Sequence, residues 1–232
     1  MTLKHYEQAG VAMTCRGFGE YEAMFGLTAA ELAAGAILDV AAGGSSFVAE
    51  ARARGFEAYA VDPRYGEAAS RWAQEAKAEI ETSTEKLAAL KESFDWSYYG
   101  SIEQHRKGRL ASLAQFAAHA ETSDVYRYGA LPELPFRDDT FELILCSHFL
   151  FLYAEAFGES FHEASVRELM RVCKPGGVIK IYPLLSLKWE PYAGLQELMD
   201  LVRAEGGQPY LRASGLPFIP GSTHRLDIVA GS

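Results

Sequence analysis

A chain of 232 residues, 49% of them hydrophobic and 23% charged, can bury a large core without a disulfide or metal staple. Its formal net charge of −9 argues against a partner held mainly through phosphates, so nucleic acid is not the expected ligand. Cys15, Cys146 and Cys173 are widely spaced, form no CxxC pair and carry no metal signature, which suits a reducing compartment.

The start, MTLKHYEQAG, is polar and has no apolar signal core. The most apolar stretch, FELILCSHFLFLYAEAF, is too short and too interrupted to span a bilayer. The expectation is a cytoplasmic protein without a membrane partner.

Residues 4–34 are expected to be helical, with 1–34 forming an amino-terminal cap. Thr28 with Glu31 makes a T-x-x-E capping box for a short helix that stops at Gly35. Ala36–Val40 is a compact apolar run of the kind that fills a buried parallel strand. Ser45–Arg54 follows as a helix with Phe47, Val48 and Ala51 on one side, and Phe56–Val61 is a second strand that delivers Asp62 at its end.

Residues 64–122 interrupt the rhythm. Trp72, Ala76, Ile80, Leu87 and Ala88 form one helical stripe, SFDWSYYGS breaks it, and Ser101 with Gln104 caps a second helix carrying Leu110, Leu113, Ala114 and Ala117. This is far longer than a minimal crossover between parallel strands, and is expected to be an inserted helical hairpin or lid. Alternation then resumes. Phe141–Cys146 is a strand, Ser160 with Glu163 caps a helix to Val172, KPGG turns into the strand Val178–Tyr182, and Gly194–Ala204 is a helix. PYLRA and HRLDIVA are terminal strands. The pattern is an α/β chain with a mostly parallel sheet, expected to be one domain over 1–232.

In such sheets ligands sit at the carboxyl ends of the strands. ILDVAAGGSSF places Asp39 at one strand end and small residues Ala41 to Gly44 after it, where backbone can approach a ligand. Asp62, at the next strand end, could accept both hydroxyls of a ribose. A dinucleotide loop would need G-x-G-x-x-G, and Ala41, Gly43 and Ser46 stand at those positions. An anion beside the first turn suits an ammonium-bearing ligand better than a pyrophosphate.

These segments resemble the class I S-adenosylmethionine-dependent methyltransferases. LDVAAGGS is similar to that family's first motif, acid-x-G-x-G-x-G, with Ala41 and Ser45 in place of two glycines. AVDP is similar to the second, LPELPFRDDTFELILCSHFL to the stretch entering the fourth strand, and ELMRVCKPGGVIKIYPL to the helix, turn and fifth strand. The resemblance spans residues 36 to about 185. It implies a Rossmann-like, doubly wound sheet of seven strands and S-adenosyl-L-methionine as cofactor. The implied contacts are Asp39, Ala41, Gly43, Asp62, Leu131 and Ser147.

His148, two residues beyond the fourth strand, is the candidate base for transfer to a small-molecule acceptor. Tyr182 and Tyr98 are candidate acceptor contacts, Tyr98 with Tyr99 and Trp96 in the break of the hairpin; packing is the alternative for each. His105, Arg106, Lys107 and Arg109 are expected to be a solvated helix face, and Cys146 inert core. The chain has no asparagine, which excludes the Asn-Pro-Pro-aromatic signature of many base amino-methylating enzymes. Two alternatives stand beside methyl transfer: a cofactor-binding protein without transferase activity, and an NAD-dependent oxidoreductase. The oligomeric state leaves no mark in the sequence.

Overall fold

The computed structural model describes residues 10–13 and 15–231, and within them each run expected to be a strand is one. The elements in order are α1 (Phe18–Phe25), α2 (Ala29–Ala33), β1 (Ile37–Val40), α3 (Phe47–Ala53), β2 (Ala58–Asp62), α4 (Ala69–Ala89), α5 (Ile102–Ala120), β3 (Tyr126–Tyr128) and β4 (Phe141–Ser147). They continue with α6 (Glu159–Val172), β5 (Cys173–Tyr182), α7 (Leu195–Ala204), β6 (Gln208–Ala213) and β7 (His224–Val229).

The seven strands form one sheet in the order β3-β2-β1-β4-β5-β7-β6. The first five are parallel, and β7 runs antiparallel to β5 and β6. The chain therefore leaves β1 toward β2 on one side and reaches β4 on the other. The switch point between β1 and β4 is where a ligand crevice belongs.

Both faces of the central strands are covered, so they read as unbroken apolar runs. Side chains alternate across the sheet. Leu38, Val40, Ile144 and Cys146 pack toward Val166 and Leu169 of α6 and Leu198 and Val202 of α7. Ile37, Leu143 and Leu145 pack toward Tyr21 and Phe25 of α1 and Phe47 of α3.

Three expectations need correction. The amino-terminal helix does not include 10–13 or 15–17; among the described residues helix begins only after Gly17, and Gly26, left-handed at φ 54°, separates α1 from α2. Residues 4–9 lie outside the described residues. The Ser160–Glu163 pair does not cap α6, which starts from Gly158 in extended backbone and puts Glu159 in the first turn, where the helix dipole favours an acid. The KPGG turn lies inside β5 as a bulge, the register jumping from Phe141–Cys173 to Leu143–Val178. The long segment between β2 and β3 carries α4 and α5, packed on each other through Trp72, Ile80, Leu113 and Phe116. The Thr28–Glu31 box and the Ser101 cap on Gln104 are as expected.

Among the described residues no helix is long and apolar enough to cross a membrane, and no group of His, Cys, Asp or Glu is placed to hold a metal.

Candidate active site

The turn leaving β1 has left-handed backbone at Ala41 (φ 55°) and Gly43 (φ 56°). Gly43 adopts it freely, whereas the Cβ of Ala41 makes it cost about 1–2 kcal/mol. The Asp62 carboxylate holds the turn in place. Its Oδ2 accepts the Gly43 N–H at 3.0 Å and its Oδ1 the Arg64 N–H at 2.9 Å, so the tips of β1 and β2 are tied together. The Tyr65 hydroxyl donates to the Gly43 carbonyl at 2.7 Å. Gly44 is needed for packing: a Cβ there would lie 2.8 Å from the Cys15 Sγ and 3.0 Å from Leu113 Cδ1.

These strand tips floor a cavity of about 360 Å³ that Ala41, Asp62, Leu131, Leu134, His148 and Phe149 line. Burial raises the Asp62 pKa above the usual carboxylate range, against the two backbone donors that lower it. A second cavity, about 130 Å³, lies beyond, and Ala12, Met13 and His148 line both. Its walls are mainly apolar and aromatic, with Phe94, Trp189 and Phe218 among them.

His148 sits between the two. It is 5% exposed, its backbone is left-handed at φ 53°, its N–H donates to the Tyr182 carbonyl at 2.6 Å, and its Nδ1 is 2.9 Å from the Ser147 hydroxyl. Burial, then the charges of Arg16 and Arg109, hold its pKa well below the ordinary histidine value, so the imidazole is neutral at neutral pH. Three of the four described non-glycine residues with left-handed backbone, Ala41, His148 and Trp189, line these cavities. Backbone held in unfavourable regions gathers where function over-determines it.

Asp39 is placed differently from expectation. Side-chain alternation turns it to the α1 face, where it is fully buried beneath the Tyr21 hydroxyl and lines neither cavity. Ser147 shares that face, its hydroxyl 3.6 Å from the Met24 sulfur. Gly43 likewise supports the cavity from behind, through Asp62.

Tyr182 also lines neither cavity; its hydroxyl donates to the Leu216 carbonyl at 2.6 Å and lies 2.8 Å from Ser222 Oγ. Tyr98 is 43% exposed and packs edge-on to Tyr99, outside both cavities. Cys146 is core, its thiol pushed up to about 12 by burial.

The basic run on α5 is not a solvated face throughout. Arg106 pairs with Glu81 near the surface, but His105 and Arg109 are buried and line the second cavity. Arg109 donates to both Glu20 oxygens at 2.6 and 2.8 Å, and to the Cys15 carbonyl at 3.0 Å. The signal was available: His105, Arg109, Leu113 and Phe116 share one helical stripe. Arg16 carried no comparable mark.

The residues present fit an adenosyl amino acid. Asp62 spends one acceptor site of each oxygen on a backbone N–H and keeps capacity for ribose hydroxyls. Leu131 and Leu134 offer an apolar wall for a base.

A sequence model described as a methyltransferase domain matches residues 109–181. The uncharacterized protein MJ0045 of Methanocaldococcus jannaschii is 30% identical over 191 residues, 82% of this chain and 85% of that one. Among solved structures, the PH0226 protein of Pyrococcus horikoshii OT3 has a TM-score of 0.48 at 15% identity, over 85% of this chain and 82% of that one. The 1,6-didemethyltoxoflavin-N1-methyltransferase of Burkholderia thailandensis, solved with 1,6-didemethyltoxoflavin and S-adenosylhomocysteine, has a TM-score of 0.45 at 14% identity, over 85% of this chain and 71% of that one. The chain belongs to the class I S-adenosylmethionine-dependent methyltransferases.

Proposed function

We propose that this methyltransferase acts on a small-molecule acceptor seated in the second cavity, with the adenosyl part of its cofactor in the first. The observation that carries this reading is the shared wall. His148 borders both cavities, and the second, about 130 Å³, is lined mainly by apolar and aromatic side chains. A cleft walled by Phe94, Trp189 and Phe218 suits a compact apolar molecule better than a polymer.

Asp62 would hold the ribose, Ala41 would bring backbone close to the ligand, and Leu131 would cover the base. Gly43 and Ser147 would act behind them, Gly43 on Asp62 and Ser147 on His148. Asp39 would bear on the amino-acid end of the ligand through its field, from beneath Tyr21. The cofactor supplies a methyl group on a sulfonium, already activated for in-line displacement. What the chain adds is alignment, worth roughly several kcal/mol, and exclusion of water. Neutral His148 is in the right protonation state to take a proton from the acceptor.

The test is a turnover screen that reads S-adenosylhomocysteine release. A small-molecule library should contain acceptors, whereas total RNA and denatured protein should give only background. Methylation of a polymer in preference to every small molecule overturns the reading.

A further inference from the structure

Arg16 is 8% exposed, lines the second cavity, and neither its Nε nor its Nη1 meets a hydrogen-bond partner among the described residues. Its closest carboxylate is Glu20, whose Oε1 is 4.0 Å from Nε. That carboxylate is already engaged by Arg109, by the Tyr99 hydroxyl at 2.6 Å and by the Gly17 N–H at 3.0 Å. Glu79, the other acid in the cavity wall, is half-buried and accepts the Met13 N–H at 3.0 Å.

The Arg16 backbone is held in place. Its N–H donates to Ser45 Oγ at 3.1 Å and its carbonyl accepts the Ser46 N–H at 3.1 Å, so the residue is clipped to the loop after β1. A buried guanidinium with unused donors is costly unless something pairs it. Guanidinium N–H groups without a partner match an anionic oxygen, such as a carboxylate's. His105, 5% exposed in the same wall, adds an Nδ1 that also lacks a partner among the described residues.

We infer that Arg16 is the seat of a ligand carboxylate at the loop end of the second cavity, with His105 beside it. A carboxylate can reach it from two molecules: the acceptor, or the amino-acid end of the cofactor. Only that choice of source rests on the function proposed above.

Titration calorimetry on the full chain separates the cases with two matched pairs. S-adenosylhomocysteine is compared with its decarboxylated form, and phenylacetate with phenylacetamide at saturating S-adenosylhomocysteine. In at least one pair the wild type should prefer the carboxylate member tenfold or more. Arg16→Gln should abolish that preference and leave the neutral member within about twofold. Arg16→Lys keeps the charge without the fork and should keep part of the preference; it decides the matter if the glutamine variant does not fold. Loss in the first pair assigns the seat to the cofactor, loss in the second to the acceptor. The inference is overturned if the wild type shows no preference in either pair, or if the substitutions leave the preference unaltered. If neither adenosyl ligand binds the wild type, the cofactor site fails, and the phenylacetate pair on the free protein still decides Arg16.

Discussion

The Tyr21 hydroxyl lies 2.9 Å from Oδ2 and 3.1 Å from Oδ1 of Asp39, covering a carboxyl that has no exposure of its own. Burial holds the Asp39 pKa well above the carboxylate range, and this hydrogen bond opposes the rise. Tyr21 is fixed in turn, stacked on Phe47 at 4.4 Å. Tyr21→Phe keeps the stacking and removes the donor. It should cost about 1–3 kcal/mol of stability in urea unfolding, because one buried polar group loses its partner. Affinity for S-adenosylhomocysteine should stay within about threefold, since neither residue lines a cavity. A loss of affinity as large as the loss of stability would put Asp39 in direct contact with the cofactor.

Asp62 has two tasks, one toward the loop and one toward the ligand. Asp62→Ala removes the acceptors of the Gly43 and Arg64 amides together with the proposed ribose contact. Binding of S-adenosylhomocysteine should weaken by roughly 2–4 kcal/mol, two charge-assisted hydrogen bonds lost. Asp62→Asn keeps the shape and one carbonyl oxygen, and should fall between. Unchanged affinity in calorimetry would remove Asp62 from the ribose.

How much of this was legible in the sequence depended on whether the signal was local. The parallel strands announced themselves as apolar runs because both sheet faces are covered. β3 did not, since Tyr126–Tyr128 is a three-residue edge strand with two exposed positions. Asp62 was readable because a strand end and a following turn fix its place. Asp39 was readable as a strand-end acid but not as one turned away from the cleft, because its partner Tyr21 is 18 positions away on a helix. The charged names His105 and Arg109 hid a buried stripe, and the tertiary pair with Glu20, 89 positions away, is what makes burial of Arg109 possible.

That pair can be tested directly. Arg109 and Glu20 are 8% and 11% exposed at their side chains, with the carboxylate held low by Arg109 and the guanidinium held high by Glu20, each against a burial penalty. Arg109→Met strands Glu20 beside Arg16 at 4.0 Å and should cost about 3–5 kcal/mol in urea unfolding. Glu20→Gln with Arg109→Met removes both charges and should recover part of that loss. Additive losses in the double variant would mean the two side chains are not coupled.

His148 joins activity to pH. As a base its loss should slow transfer about 100-fold, at the low end for general bases because a strongly lowered pKa makes a weak one. His148→Ala should leave S-adenosylhomocysteine affinity within about twofold, and the wild-type rate should show no inflection near pH 6.5 from this group. Stability carries the sign of the shift. The unfolded chain takes up a proton at about pH 6.5, whereas folded His148, with its lowered pKa, does not. The stabilisation is complete above pH 6.5 and drains by about 1.4 kcal/mol per pH unit below it, until the folded pKa is reached. His105, lowered to about 2 by burial, drains alongside it, while Asp39 and Asp62, raised in the folded state, act with the opposite sign. The informative quantity is therefore the difference between wild type and His148→Ala in urea unfolding from pH 7 to pH 5. The variant should lose less stability over that range; parallel curves would mean His148 titrates alike in the folded and unfolded chain, and equal turnover would dismiss it as the base.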